Sequence, residues 1–418
     1  MAAYGADQGW LPGIINFPLH VMGVRLRQAM FSLIVFVLTA EAGSFLVTLY
    51  LQQRGILYTP HEDISDYDDY LRNRHPVLGW TKLSDEDNPL PDGTRNSPAV
   101  SGGVPCVSLY GDSFVWADEV DDAHAWGNLL AERLGCRVAN YGVRAYGTDQ
   151  SYLRYLEHPA VGDGNLVILG HLTENVLRNV SQDFDLLYGF TKYGLKPRFV
   201  IDAAGRLELI PLPDLSSGEF SQLVHSPSKV LPHEYFVPLR AGFPYSLSLL
   251  NAIRSHRIQA KLRGEPPYAA FYRSDHPSRS LAITVEIMRA FVNEAKARAE
   301  KPLVLVIPTL LDLHHFEESG SWVYAPLVAE LARHEIPFFD VGPTVFAAFQ
   351  EQGIDTFFAP RSHLNAAGNR RFAGIVFKML MARGLLPRGK GTGVQELAQG
   401  RPSAHDRAQK PEDDDRRQ

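Results

Sequence analysis

The sequence predicts an α/β protein built on a parallel sheet and preceded by one membrane-spanning helix. Three observations predict it. Apolar runs read as buried strands, Val107-Ser108-Leu109-Tyr110, Leu166-Val167-Ile168-Leu169 and Leu303-Val304-Leu305-Val306-Ile307 being the clearest, with helical stripes between them. Gly111-Asp112-Ser113-Phe114 directly follows the first run, so a serine stands at the carboxyl end of a strand, where open parallel sheets keep their chemistry. From Met30 to Leu51 the chain is almost wholly apolar, long enough to cross a bilayer at about 20 residues per span.

The span at 30–51 is preceded by Arg25 and Arg27 and followed by Glu62, Asp63, Asp66, Asp68 and Asp69. By the positive-inside tendency, segment 1–29 stays cytoplasmic and the rest of the chain lies outside. Two alternatives stand beside the anchor. Ala40-Glu41-Ala42 has the small residues of a signal-peptide cleavage site, and a buried soluble helix is the other, although the span lacks a polar face. Glu41 is costly in lipid and calls for a partner or a place near the interface. Residues 52–100 are rich in Asp, Pro, Asn and Gly, with His75-Pro76-Val77-Leu78-Gly79-Trp80 as one apolar island; this lead-in is expected to pack over the domain.

Further along, Cys136-Arg137-Val138-Ala139 reads as a second strand followed by Asn140-Tyr141-Gly142, and Gly170-His171-Leu172-Thr173-Glu174-Asn175 follows the third. Phe199 to Asp202 and Leu207 to Ile210 alternate around a glycine-bearing turn, the mark of a hairpin. This hairpin opens an insertion at about 181–272, read either as a wall that selects substrate or as loops without that role. Ile283, Ile287 and Phe291, with Met288 and Val292 beside them, form the stripe of a helix on a sheet. Trp322 to His334 reads as helix, Pro337 to Asp340 as strand and Asn365 to Arg383 as the closing helix, which completes a domain at 101–386. The charged tail at 387–418 has too little apolar surface to fold alone.

Ser113, Gly142, Asn175 and His363 thus come in that order, each just after a strand or just before a helix. The set resembles the SGNH/GDSL hydrolase family over roughly residues 75–385. The resemblance implies a three-layer α/β/α flavodoxin-like fold, with Ser113 as nucleophile and His363 as base. It assigns the oxyanion hole to the backbone N–H groups of Ser113 and Gly142 and the side-chain amide of Asn175. The chemistry needs such a set, because a serine hydroxyl attacks an ester only when an imidazole takes its proton and returns it to the leaving alcohol. Each preorganised donor to the oxyanion contributes about 3 kcal/mol.

The chain departs from the family pattern twice. The aspartate usually found two or three residues before the histidine is replaced by Arg361 and Pro360. A main-chain carbonyl is therefore expected to orient the imidazole, with Asp355 folding back as the alternative orienting acid. In the third block, an ungapped count puts Glu174 where the family has asparagine. Asn175 is assigned to the hole because a carboxylate would repel the developing oxyanion.

With 418 residues, 45% of them hydrophobic and 21% charged, the chain has material for one large domain plus additions. A net charge of −6 leaves no basic stripe, so no nucleic-acid partner is expected. Cys106 and Cys136 begin the first two strands. Outside the cytoplasm they form a disulfide if those strands are neighbours in register; two buried free thiols are the alternative. His171, His314 and His315 lack spaced carboxylates, and the serine chemistry needs no metal or cofactor.

These features lead to a membrane-anchored, extracytoplasmic serine esterase. Its expected substrate is an acylated glycan or small ester, and its membrane contact is the N-terminal helix. An O-acyltransferase sharing the acyl-serine intermediate is the first alternative, and an inactive glycan-binding or scaffold relative is the second.

Overall fold

Buried apolar runs between helices organise the chain into a sheet with helices on both faces. The computed structural model describes residues 19–58, 67–81, 89–160, 165–188 and 194–385. Residues 1–18 and the charged tail at 387–418 lie outside the described residues.

In chain order the described strands are β1 (Val107–Tyr110), β2 (Val138–Asn140), β3 (Leu166–Leu172), β4 (Arg198–Ile201), β5 (Leu207–Ile210), β6 (Lys301–Ile307) and β7 (Phe338–Asp340). Five of them form one parallel sheet in the order β2-β1-β3-β6-β7, and β4 and β5 form a separate antiparallel pair. With that hairpin set aside, this is the flavodoxin-like order, whose direction reverses beside the first strand. The loops after β1 and β3 therefore open onto the crevice at that reversal.

Alternation along the strands explains the layers, since successive side chains point to opposite faces. Val167, Leu169, Val304 and Val306 join one core with Ile287, Met288 and Phe291 of the helix Ser280–Ala297. Leu166, Ile168, Leu305 and Ile307 join the other with Trp126 and Leu130 of the helix Trp126–Leu134, and with Phe372 and Val376 of the closing helix Ala366–Ala382. β3 runs further than its most apolar stretch suggests, because Gly170 and His171 continue the register with Leu305 and Val306 of β6.

Val107 pairs with Val138, which places Cys106 and Cys136 side by side, and the two are joined in a disulfide with Cα atoms 6.0 Å apart. The lead-in packs over the domain. Leu78 and Trp80 are buried, the Leu78 carbonyl accepts from Gln150 Nε2 at 2.7 Å, and Trp80 Nε1 donates to the Arg144 carbonyl at 3.0 Å.

The N-terminal helix spans Leu19–Gln53, longer at both ends than the apolar run that announces it. Its stretch Gly23–Gln53 has a mean hydropathy of 2.0 and is long enough to cross a membrane. None of the residues in its most apolar window is buried within the protein, so it is not a buried core helix.

Candidate active site

The turn Gly111-Asp112-Ser113 leaves β1 and enters a one-turn helix, Ser113–Trp116. Asp112 caps this turn by accepting the Phe114 N–H at 2.9 Å. Its other carboxylate oxygen accepts from Asn175 Nδ2 at 2.9 Å and faces Arg178 Nη1 at 3.5 Å. Full burial pushes the Asp112 carboxyl upward, with the nearby Arg178 guanidinium opposing the shift. The turn that carries Ser113 is thus tied to the loop after β3 through Asp112.

His363 lies on the tight turn before the closing helix. The His363 carbonyl accepts from the Ala359 N–H at 2.7 Å, and Asn365 caps the helix by accepting the Ala367 and Gly368 N–H groups, each at 3.0 Å. His363 Nε2 is 2.9 Å from Ser113 Oγ, within the range for proton transfer between nucleophile and base.

The carboxylate that faces the other ring nitrogen is Glu119. Its Oε2 lies 2.9 Å from His363 Nδ1, and the carboxylate also accepts the backbone N–H groups of Arg361 at 3.1 Å and His363 at 3.3 Å. This corrects both expectations for the imidazole: no main-chain carbonyl holds Nδ1, and Asp355 instead sits 3.1 Å from Nε2 of His314. Asp355 occupies the short 3-10 turn Ile354–Phe357, and from there it pairs with the helix Leu310–Ser319 rather than with the turn that carries His363. Partial burial raises the Glu119 carboxyl, but hydrogen bonds from His363 and the Arg361 N–H outweigh it, so the group lies below the usual carboxylate range.

Glu119 reaches the histidine from an unusual backbone. Ala117 and Glu119 both adopt φ of 65°, a left-handed conformation that non-glycine residues hold only when their surroundings impose it. Arg95, from the lead-in, is that surrounding. Its guanidinium donates to the carbonyls of Trp116 (2.5 Å), Ala117 (2.6 Å) and Val120 (2.6 Å) and to Asp122 Oδ1 (2.8 Å). Neither Glu119 nor Arg95 stands out in the sequence except through the acidic run Asp118-Glu119-Val120-Asp121-Asp122 close behind the serine.

Two of the three donors assigned to the oxyanion hole are engaged within the protein. The Gly142 N–H donates to Asn140 Oδ1 at 3.0 Å. Asn175 is fully buried, with one amide hydrogen committed to Asp112. The Ser113 N–H has no partner among the described residues. Gly142 nevertheless has to be glycine, because a Cβ there would lie 2.5 Å from the Trp116 nitrogen and 3.0 Å from the Asp112 carbonyl oxygen. Glu174 turns away from the site to accept from the Tyr188 hydroxyl.

A cleft of about 670 Å³ adjoins the acid end of this chain of groups, bordered by Leu90, Trp116, Glu119, Arg144 and Arg361. It opens beside Glu119 rather than at Ser113.

The parallel sheet thus places Ser113 at the end of β1 and His363 just before the closing helix. No family model and no curated protein matches the sequence. Among solved structures, the chain is similar to a protein of the G-D-S-L lipolytic family from Desulfitobacterium hafniense DCB-2, with 10% identity, a TM-score of 0.33, and coverage of 66% of this chain and 98% of that one. It is also similar to a G-D-S-L lipolytic family member from Veillonella parvula DSM 2008, with 14% identity, a TM-score of 0.35, and coverage of 66% and 97%. An alpha/beta hydrolase enzyme from the metagenome of Lake Arreo, Spain, shows 12% identity, a TM-score of 0.34, and coverage of 69% and 98%. These likenesses are distant.

Proposed function

We propose that this chain is a serine esterase with a Ser113–His363–Glu119 triad, acting on acyl esters outside the cytoplasmic membrane to which its N-terminal helix holds it. The observation that carries the reading is the unbroken chain of groups: Ser113 Oγ at 2.9 Å from His363 Nε2, and His363 Nδ1 at 2.9 Å from Glu119 Oε2. As Ser113 Oγ bonds to the ester carbonyl carbon, its proton passes to His363 Nε2, and the Glu119 carboxylate stabilises the imidazolium so formed. Collapse of the tetrahedral intermediate breaks the bond to the alcohol, which leaves with the proton from His363. Water then repeats the sequence on the acyl-serine and frees the carboxylic acid.

The oxyanion is assigned to the Ser113 N–H and the remaining amide hydrogen of Asn175. The Gly142 N–H joins only if it leaves Asn140. An acylated glycan of the cell envelope is the substrate class we favour, from the expected placement outside the membrane. A complete triad argues for an enzyme over an inert scaffold.

The test is hydrolysis of p-nitrophenyl acetate by the full chain and by Ser113→Ala. Loss of turnover by about 10³–10⁶ is expected, and near-normal turnover in the variant would overturn the mechanism. Adding an oligosaccharide acceptor separates hydrolysis from acyl transfer, since only a transferase yields acetylated sugar. Reporters active only outside or only inside the cytoplasm, fused to the C-terminus, test the orientation.

A further inference from the structure

Glu41 stands in the middle of the apolar span, where an unpartnered charge is expensive, and the structure gives it a partner. Its carboxylate accepts the N–H of Tyr245 at 2.6 Å, the N–H of Ser246 at 3.3 Å and the Ser246 hydroxyl. These donors open the short helix Tyr245–Ala252 of the insertion, so the carboxylate satisfies amides that a helix start leaves without partners. The Phe45 and Tyr245 rings meet beside it, with centroids 4.9 Å apart.

The chain around this helix has the composition of a lipid-facing segment. From Ala241 to Ile253 it carries no charged residue, and Arg240 and Arg254 bound it; a stretch of roughly 10–14 such residues fits either a buried core helix or a re-entrant or interfacial segment. Phe243, Leu247, Leu250 and Ile253 are 77%, 53%, 62% and 49% exposed, although the same helix is pressed against the span.

Depth supports the same conclusion. Glu41 lies a dozen residues before Gln53, which is about 18 Å along the axis at about 1.5 Å per residue, against a hydrocarbon core of about 30 Å. The non-helical approach is partly bonded internally, as backbone at that depth favours. The Gly242 N–H donates to Ser248 Oγ at 3.0 Å, Ser248 Oγ donates to the Gly242 carbonyl at 2.7 Å, and the Tyr58 N–H donates to the Leu239 carbonyl at 2.8 Å. At the upper end, Arg257 Nη1 donates to the Arg54 carbonyl at 3.2 Å, which gathers cationic side chains at head-group height.

We propose that Ala241–Ile253 is a re-entrant segment embedded in the extracytoplasmic leaflet, pinned to the N-terminal span by Glu41, with Phe243, Leu247, Leu250 and Ile253 facing acyl chains. The proposal rests on the anchor reading. It makes the insertion a second membrane contact that fixes the height and tilt of the catalytic domain over the bilayer.

The experiment uses the full chain in vesicles of phosphatidylethanolamine and phosphatidylglycerol, with an environment-sensitive fluorophore on a single added cysteine at Leu250→Cys or, in the span, Leu46→Cys. The disulfide keeps the native cysteines unreactive. Both labels should be quenched by lipids bearing a nitroxide on the acyl chain and resist aqueous dithionite. Rapid reduction at position 250 with protection at 46 would overturn the re-entrant segment and leave the anchor standing, whereas rapid reduction at both would remove the anchor and the proposal with it. Protection at 250 without lipid quenching would reveal a protein cover and also overturn the proposal. Adding Glu41→Leu should speed reduction at position 250 at least tenfold while leaving position 46 protected; no change would refute the pinning role of Glu41.

Discussion

Glu119 Oε2 lies 2.9 Å from Nδ1 of His363 across 244 residues of sequence, on the loop that leaves the nucleophile turn rather than on the turn that carries the histidine. The carboxylate keeps company with the serine instead of the histidine: Glu119 and Ser113 both lie on the segment that leaves β1, and His363 arrives alone. Glu119→Gln should lower turnover by about 10²–10⁴ by favouring the wrong imidazole tautomer, while Asp355→Asn should leave it within about twofold. Steady-state kinetics on a chromogenic ester decide between them, and the opposite pattern would restore Asp355 as the orienting acid.

Arg95 is expected to act through Glu119. Arg95→Ala leaves the carbonyls of Trp116, Ala117 and Val120 without their donor, at about 1–3 kcal/mol for each that stays buried and unpaired. Turnover should fall more than KM changes, with partial recovery in Arg95→Lys. A variant with unaltered kcat would show that the left-handed residues at 117 and 119 hold their conformation unaided.

The Cys106–Cys136 disulfide closes a loop with a sequence separation of 30, so the chain-entropy model gives it about 3–4 kcal/mol of stability. The double variant Cys106→Ser, Cys136→Ser should unfold at correspondingly lower denaturant while keeping the Ser113–His363 geometry and its activity at low temperature. An unchanged midpoint in denaturant titrations, with the bond intact in the parent, would contradict this.

His171 is fully buried between Thr148 Oγ1 at 2.7 Å and the Tyr272 hydroxyl at 3.1 Å, and burial lowers its pKa to about 3. The folded form refuses a proton that the unfolded chain accepts near pH 6.5, so this contribution to stability is complete above about 6.5 and is lost as pH falls toward 3. Its full span is on the order of 5 kcal/mol. His171→Gln should flatten that part of the stability profile measured by chemical denaturation, and an unaltered slope would show that the ring titrates freely.

Much of the fold was legible because burial leaves a local trace. The runs at Val107–Tyr110 and Leu303–Ile307 are apolar on both sides, as strands covered on two faces must be, and the stripe Ile283, Ile287, Phe291 repeats at the helical period. The hairpin was legible through its turn at Gly205. Strand ends were less so. β3 continues through Gly170 and His171 because β6 offers register partners there, and partners are not local information.

Ser113 and His363 were singled out for a similar reason. Each sits in a short block whose residues also build the turn that presents it: Gly111 and Asp112 for Ser113, Asn365 for His363. Glu119 has no such block. Its role comes from a left-handed backbone braced by Arg95 and from the meeting of two loops that are far apart in the chain. Likewise, the sequence posed the problem of a carboxylate in an apolar span, and only the packing of Tyr245 and Ser246 against Glu41 answered it. The sequence by itself determined the order of the main strands and helices, the turns that carry Ser113 and His363 and the apolar span, since these depend on periodicity and turn chemistry within a few residues. The orienting acid, the state of the oxyanion donors and the partner of Glu41 were decided by tertiary structure alone. Hydrogen bonds act over about 3 Å in space and impose no rule on separation along the chain.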